Sequence, residues 1–299
     1  MKKRIYSLGA VVYDHLINIE SIPKKPIKVK GNEYTARLGG PAAVASIFLS
    51  SHGVDSKFIG RLGDDSDSLL LKNSLKNFKV DYKYSLVHKN TSSHKSFVVQ
   101  DCRGERLIIS YKPSSYDKSK IIFDKKIDFS GIFLADLTWV NATHELCKHV
   151  YKNKGRLIID ADLFIKNKKT DYIIKYSSHV IFSKVGVDNY TKKKSIKDAL
   201  NFLYTKNNKF YAVTDGSKGV TWIDNGIIKK ISAINVPVKE TNGAGDIFHG
   251  AFAYGLLNNF SNYDSLKYAN IAAAIKCTKK GGINNLPTKK EINKYFKCL

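Results

Sequence analysis

Little in this chain could staple it together or anchor it in a bilayer. Four cysteines, Cys102, Cys147, Cys277 and Cys298, are scattered over 299 residues without a CxxC pair. That spacing suggests neither a zinc knuckle nor a disulfide framework, and it suits a reducing cytosol. The longest apolar runs, such as SGIFLADL and RLIIDA, fall far below the roughly 18 residues of a membrane span. The start, MKKRIYSLGAVVYDHL, is basic, but Asp14 interrupts it and no A-x-A-like cleavage site follows. A soluble, cytoplasmic chain without a signal peptide is expected. There is no repeat, low-complexity tract or linker. Acidic residues are also scarce, 26 against 50 lysines and arginines, for a formal charge of +24. Such a charge favours anionic partners, yet the lysines are spread along the chain among asparagine and isoleucine rather than gathered in one arm. They read as a solvated surface, with no nucleic-acid motif and no membrane-binding stretch.

What is present supports a sizeable core: 43% of residues are hydrophobic, enough for one large α/β domain. RIYSLGAVV, 4–12, reads as a strand, 41–53 as a helix with Pro41 near its start, 56–62 as a strand and 68–78 as a helix. Within 81–111, DYKYSLVHK, HKSFVVQD and GERLIISY read as short antiparallel segments. From 131 onward strands and helices alternate, predicting βαβ units and a doubly wound, mostly parallel sheet. WID-NG-IIKK, 222–230, predicts a hairpin, and the chain from Ala244 onward reads as helical. The β-rich piece is then a lid, formed from about 15–37 and 82–112, on a single domain spanning 1–299.

The chemistry is densest in ETNGAGDIFHGAF, 240–252. Gly243, Ala244 and Gly245 leave main-chain N–H groups uncovered at the start of a helix, where orphan donors and the helix dipole favour an anion. Asp246 beside them could accept a proton from a hydroxyl while those amides hold a phosphoryl group. Taken alone, the same stretch is equally compatible with an aspartate stabilising the first turn of a helix after a tight loop.

ETNGAGDIFHGAF resembles the D-T-T-G-A-G-D-x-F-x-G-A signature of the ribokinase-like, or PfkB, carbohydrate kinases. LGGPAAVAS, FIGRLGDD and VTDGSKGV resemble three further family blocks in the same order. The resemblance implies the ribokinase-like fold, ATP with Mg2+, a catalytic Asp246 and an anion hole at Gly243, Ala244 and Gly245. It places sugar hydroxyls at Asp14, Gly39 and Gly40, and nucleotide at Thr214, Gly216, Gly219 and Asn270. A lid that pairs two subunits into a homodimer is also implied. GGPAA, GERLIISY and FLADLTW look closer to the sulfofructose kinases, which implies phosphorylation of 6-deoxy-6-sulfofructose at its 1-hydroxyl with Lys28 near the sulfonate.

Several positions depart from the pattern. Thr138 and Ser110 replace the arginine and asparagine that would accompany Lys28, pointing toward a neutral or differently anchored ketose-like sugar, since a hydroxyl cannot replace an arginine fork. SKVG replaces the Asn-x-x-Glu block, so Ser183, Lys184 and Gly186 stand there, and Lys184 is a candidate phosphate contact. Asp160 and Asp162 are candidates for water-mediated metal contact or for turn capping. Glu240 replaces an aspartate linked in relatives to a monovalent cation, and Val44 removes a sugar hydrogen bond. His249, one helical turn after Asp246, is read as packing or exposed rather than catalytic. These changes also admit a catalytically weakened binding or regulatory protein, or a kinase for another sugar such as ribose or fructose.

Overall fold

The computed structural model describes residues 3–103, 105–162 and 166–297; Gly104 of the CRGE turn and Cys298 lie outside this set. In chain order the strands are β1 (Arg4–Leu8), β2 (Val12–Asn18), β3 (Glu33–Gly39), β4 (Asp55–Ile59), β5 (Arg61–Leu62), β6 (Leu86–Val87), β7 (Lys95–Gln100), β8 (Arg106–Tyr111), β9 (Ile132–Asp136), β10 (Arg156–Asp160), β11 (His179–Ser183), β12 (Phe210–Thr214), β13 (Val220–Asp224) and β14 (Ile227–Ile231). The helices are α1 (Pro41–Ser51), α2 (Ser66–Asn77), α3 (Val140–Lys152), α4 (Lys168–Tyr176), α5 (Lys184–Thr191), α6 (Ile196–Asn207), α7 (Ala244–Leu257), α8 (Asn262–Cys277) and α9 (Lys289–Phe296).

An eight-stranded sheet runs β14-β13-β12-β11-β10-β9-β1-β4. Its members from β12 to β4 are parallel, and β13 and β14 are antiparallel. Alternation along each strand divides the core, because successive side chains leave opposite faces. Ile132, Leu134, Ile158 and Ile181 pack with α1, α7 and α8, while Phe133, Leu157, Ile159 and Phe182 pack with α3 to α6. The Asn225-Gly226 turn has both residues at positive φ, 51° and 77°, as a two-residue hairpin requires. Among the described residues no helix is long and apolar enough to cross a membrane, and Cys102, Cys147 and Cys277 are free thiols.

The second sheet, β3-β2-β7-β8, differs from expectation in two ways. Its β2 and β7 run parallel, and only β2/β3 and β7/β8 are antiparallel. Residues 81–89 do not join it: Leu86 and Val87 pair in parallel with Arg61 and Leu62 instead. The first predicted strand is likewise broken after Leu8, because Gly9 turns the chain against the Asp136 carboxylate, 2.0 Å from where a Cβ would stand. The break lets β2 leave the main sheet and enter the smaller one.

Close helix packing fixes α7, the helix that carries Asp246. Gly250 abuts the main chain of Ala45 in α1, and Gly255 lies against Ser265 in α8, where a Cβ would come within 2.7 Å of the Ser265 hydroxyl and 2.9 Å of its Cα. Gly255→Val is therefore expected to cost about 1–3 kcal/mol by overpacking. Urea unfolding should show the loss as a lower midpoint with an unchanged slope.

Candidate active site

Parallel strands present their carboxyl ends to one edge of the sheet, where ligands bind in such folds. Asp136 ends β9, Asp160 ends β10, Ser183 ends β11 and Thr214 ends β12. Most helices begin with a side-chain cap: Asp65, Asn167, Ser183, Ser195, Ser261 and Thr288 each accept a main-chain N–H. Helices α1, α3 and α7 have none, and α1 and α7 start from Gly40 and Gly243.

The two glycine-started helices then part ways. At α1 the protein uses the donors itself, since Asp136 accepts from Ala42 at 3.3 Å and the Ala10 carbonyl accepts from Ala43 at 3.2 Å. At α7 only the Ala244 N–H is engaged, in a long 3.3 Å bond to the Thr241 carbonyl. The amides of Gly245 and Asp246 have no protein acceptor among the described bonds. Of Gly243, Ala244 and Gly245, the residues expected to supply an anion hole, Ala244 alone donates to a main-chain carbonyl among the described bonds. Gly243 adopts φ 78°, a left-handed conformation that a side chain would strain.

Asp246 and Asp14 face a small cavity of about 70 Å³ that Gly39, Gly40, Val44, Gly243, Arg37 and Lys276 also line. Asp14 lies flat on Gly39, whose Cβ, if present, would stand 2.0 Å from its carboxylate. Burial pushes the Asp14 pKa up to about 6, partly offset by Arg37. Asp246 is pushed further, to about 8, by burial and by the nearby charge of Asp160, with Asp162 and Asp14 adding and His249 opposing. On the other side of the α7 N-terminus is a cleft of about 640 Å³ lined by Thr214, Gly216, Gly219, Ala244, Gly245 and Asn270. The two openings meet at the uncovered turn.

Asp160, Asp162 and His249 bring ligand atoms within 4.8 Å of one another. Asp162 Oδ2 would lie 3.6 Å from a Cβ on Gly245, so the cluster borders the turn. Asp160 also accepts the Asp162 N–H at 3.1 Å, the turn-capping role. Its pKa is raised well above the carboxylate range by burial and by Asp162 and Asp136. His249 is buried, as the packing reading required, but it does more than fill space: its Nε2 stands 3.4 Å from Asp160. Nothing in the local sequence pairs His249 with a residue 89 positions away; the signal would have been the length of βαβ units that places β10 beneath α7.

Other positions lie elsewhere. Lys28 is exposed on an irregular stretch, not a strand, and lines neither cavity. Lys184 forms an ion pair with Asp188 on α5 and does not line the larger cleft. Thr138 Oγ1 donates to Asp136 at 2.5 Å and Ser110 shares a hydrogen bond with His94 at 2.9 Å. Ser183 caps α5 through the Gly186 N–H. Glu240 holds Arg37, which sequence reasoning missed because the two are 203 residues apart.

A group whose folded pKa is raised takes up a proton on folding, so stability falls as pH rises between the unfolded and folded values. For Asp246 that window runs from 3.8 to about 8. Asp246→Asn should raise the melting temperature by several degrees at pH 8 and leave it unchanged near pH 3.5, as scanning calorimetry would measure.

The profile of the pfkB family carbohydrate kinases matches residues 2–289. The ribokinase of Haemophilus influenzae is 24% identical over 318 aligned positions, covering 99% of each chain. Probable fructokinase-3 of Arabidopsis thaliana is 26% identical, covering 99% of this chain and 92% of that protein. The crystal structure of Arabidopsis thaliana ribokinase complexed with ribose and ATP superposes with a TM-score of 0.86 at 22% identity, covering 99% of both chains.

Proposed function

The chain belongs to the pfkB family of carbohydrate kinases, phosphotransferases that act on hydroxyl groups, and we propose that it moves the γ-phosphoryl group of ATP onto a hydroxyl of a neutral, ketose-like sugar. The observation that carries the reading is the N-terminus of α7, where a proton-hungry Asp246 adjoins main-chain donors that no protein group consumes. Asp14, Gly39 and Gly40 hold the sugar hydroxyls in the smaller cavity. Thr214, Gly216, Gly219 and Asn270 receive the nucleotide in the larger one. The acceptor hydroxyl gives its proton to Asp246 as its oxygen attacks, and the amides of Gly245 and Asp246 meet the charge on the transferred group.

Mg2+ suits the carboxylates of Asp160 and Asp162; burial and the neighbouring aspartates raise the proton affinity of Asp160, which marks a site short of positive charge. When bound there it supplies neutralisation of phosphate charge. Positive charge held by Asp160 and Asp162 would also ease the ionisation of Asp246, which these two carboxylates otherwise oppose. His249, a poor partner for so hard a cation, orients Asp160.

A neutral sugar is favoured over 6-deoxy-6-sulfofructose by the three positions that would hold a sulfonate. Lys28 points to solvent, Thr138 is spent on Asp136 and Ser110 is engaged by His94. The lid is proposed to join a second copy, because the edge strand β8 exposes Leu107, Ile108, Ile109 and Tyr111 together. The thiols and the ATP requirement suit the cytoplasm.

A coupled ADP assay across ketoses, aldoses, nucleosides and sulfofructose should give the highest kcat/KM for a neutral sugar such as fructose. Preference for the sulfonate would overturn that specificity, and tight sugar binding without any turnover would favour a non-catalytic binding protein. Asp246→Asn should lower kcat by roughly 10²–10⁴-fold while calorimetry finds ADP affinity nearly unchanged. Ile108→Lys should convert a dimer to a monomer in light scattering.

A further inference from the structure

Lys276 is a charged residue for which this chemistry has no evident use. It stands in the last turn of α8, only 1% exposed. Its Nζ donates to the Lys279 carbonyl at 3.2 Å and lies 3.7 Å from Glu240 Oε1. Glu240 is already served: Oε1 accepts from Arg37 at 2.6 Å and Oε2 accepts the Gly281 N–H at 3.0 Å. A buried ammonium loses its hydration, and a methionine would fill the same volume without that cost. The charge therefore needs a reason beyond packing.

The surroundings supply one. The Cys277 carbonyl accepts the N–H groups of Lys239 and Glu240, at 2.7 and 3.1 Å, so the end of α8 is fastened to the segment that runs directly into Thr241 and Gly243. Beyond those two bonds, the fastening depends on oxygens of Glu240 and Lys279 that converge on the buried Lys276 ammonium. Oxygens so placed repel one another unless a cation sits between them. Lys276 also lines the cavity that contains Asn242, Gly243 and Asp246, so any displacement of the segment is felt at the turn.

We infer that Lys276 is a positioning residue that acts as a built-in monovalent cation: its ammonium fills the oxygen cage of Glu240 and Lys279 and so fixes the Thr241–Gly245 turn without an ion recruited from solution. The inference rests on the reading of that turn as the phosphoryl site. The wild type should turn over equally fast in tetramethylammonium, sodium and potassium chlorides. Lys276→Met should lose at least about tenfold in kcat through misplacement of the turn and also bind ADP more weakly. Added ammonium or potassium chloride should recover part of both losses, tetramethylammonium none, and Lys276→Arg should retain both properties.

Stimulation of the wild type by potassium would overturn the inference. So would a folded Lys276→Met variant, with native circular dichroism, whose ADP affinity is either unchanged or lowered without recovery by any monovalent ion. Should the wild type phosphorylate no sugar at all, the kinase reading fails on its own. ADP calorimetry on the two variants would then still decide the role of Lys276.

Discussion

Repulsion among carboxylates gathered at one edge of the sheet sets the terms for everything else in the site. Asp14, Asp136, Asp160, Asp162 and Asp246 reach this edge from four segments, and Asp160, Asp162 and Asp14 all raise the proton affinity of Asp246. The chain has a formal charge of +24, but little of it is spent here. Arg37 and Lys276 are drawn toward Glu240 instead. The result is a locally acidic pit in a basic protein. Long-range attraction brings polyanions toward the surface, while the pit itself favours a proton or a divalent cation.

Two of these aspartates show how hydrogen bonding separates a structural acid from a reactive one. Asp136 accepts from the amides of Ala10, Ala42 and Thr138 and from the Thr138 hydroxyl. It ties the β1–β2 turn, the start of α1 and the turn after β9 into one unit, and its lone pairs are used. Asp246 stands at an equivalent glycine-led helix start, yet its neighbouring amides and its own carboxylate lack such partners. Gly245 is exposed and Asp246 half-buried, so these groups stay open to solvent and to a ligand. The stability that the protein forgoes as Asp246 ionises comes from partial desolvation of its carboxylate and from the aspartates around it.

Local rules carried the sequence reading a long way. The N-G turn between β13 and β14, the alternation that builds the parallel sheet and the bare turn before Asp246 each follow from residues within a few positions of one another. The readings that failed or fell short depend on distant partners. Residues 81–89 have strand-like composition, but Arg61 and Leu62 offered Leu86 and Val87 a pairing outside the lid. Lys28, expected near substrate from the family resemblance alone, stands exposed on a stretch that belongs to neither sheet. Glu240 could be recognised as an altered cation position, whereas its capture of Arg37, with Lys276 close by, needed three segments of the chain in view at once.

The register of the smaller sheet sets two charged residues of the site side by side. Asp14 on β2 is paired directly with Arg37 on β3, so the residue proposed to hold sugar and the residue that holds Glu240 are cross-strand neighbours. Val12, Leu38 and Gly39 root this pair of strands in the core, while the far ends at Asn18 and Glu33 are partly or fully exposed. Asp14, Arg37, Leu38 and Gly39 of this pair line the cavity that Asn242, Gly243 and Asp246 also line, so the two strands and the start of α7 share one wall. Arg37 in turn makes the 2.6 Å contact to Glu240, which leads directly into that start. The cavity wall and the turn before Asp246 are in this way joined through a single ion pair.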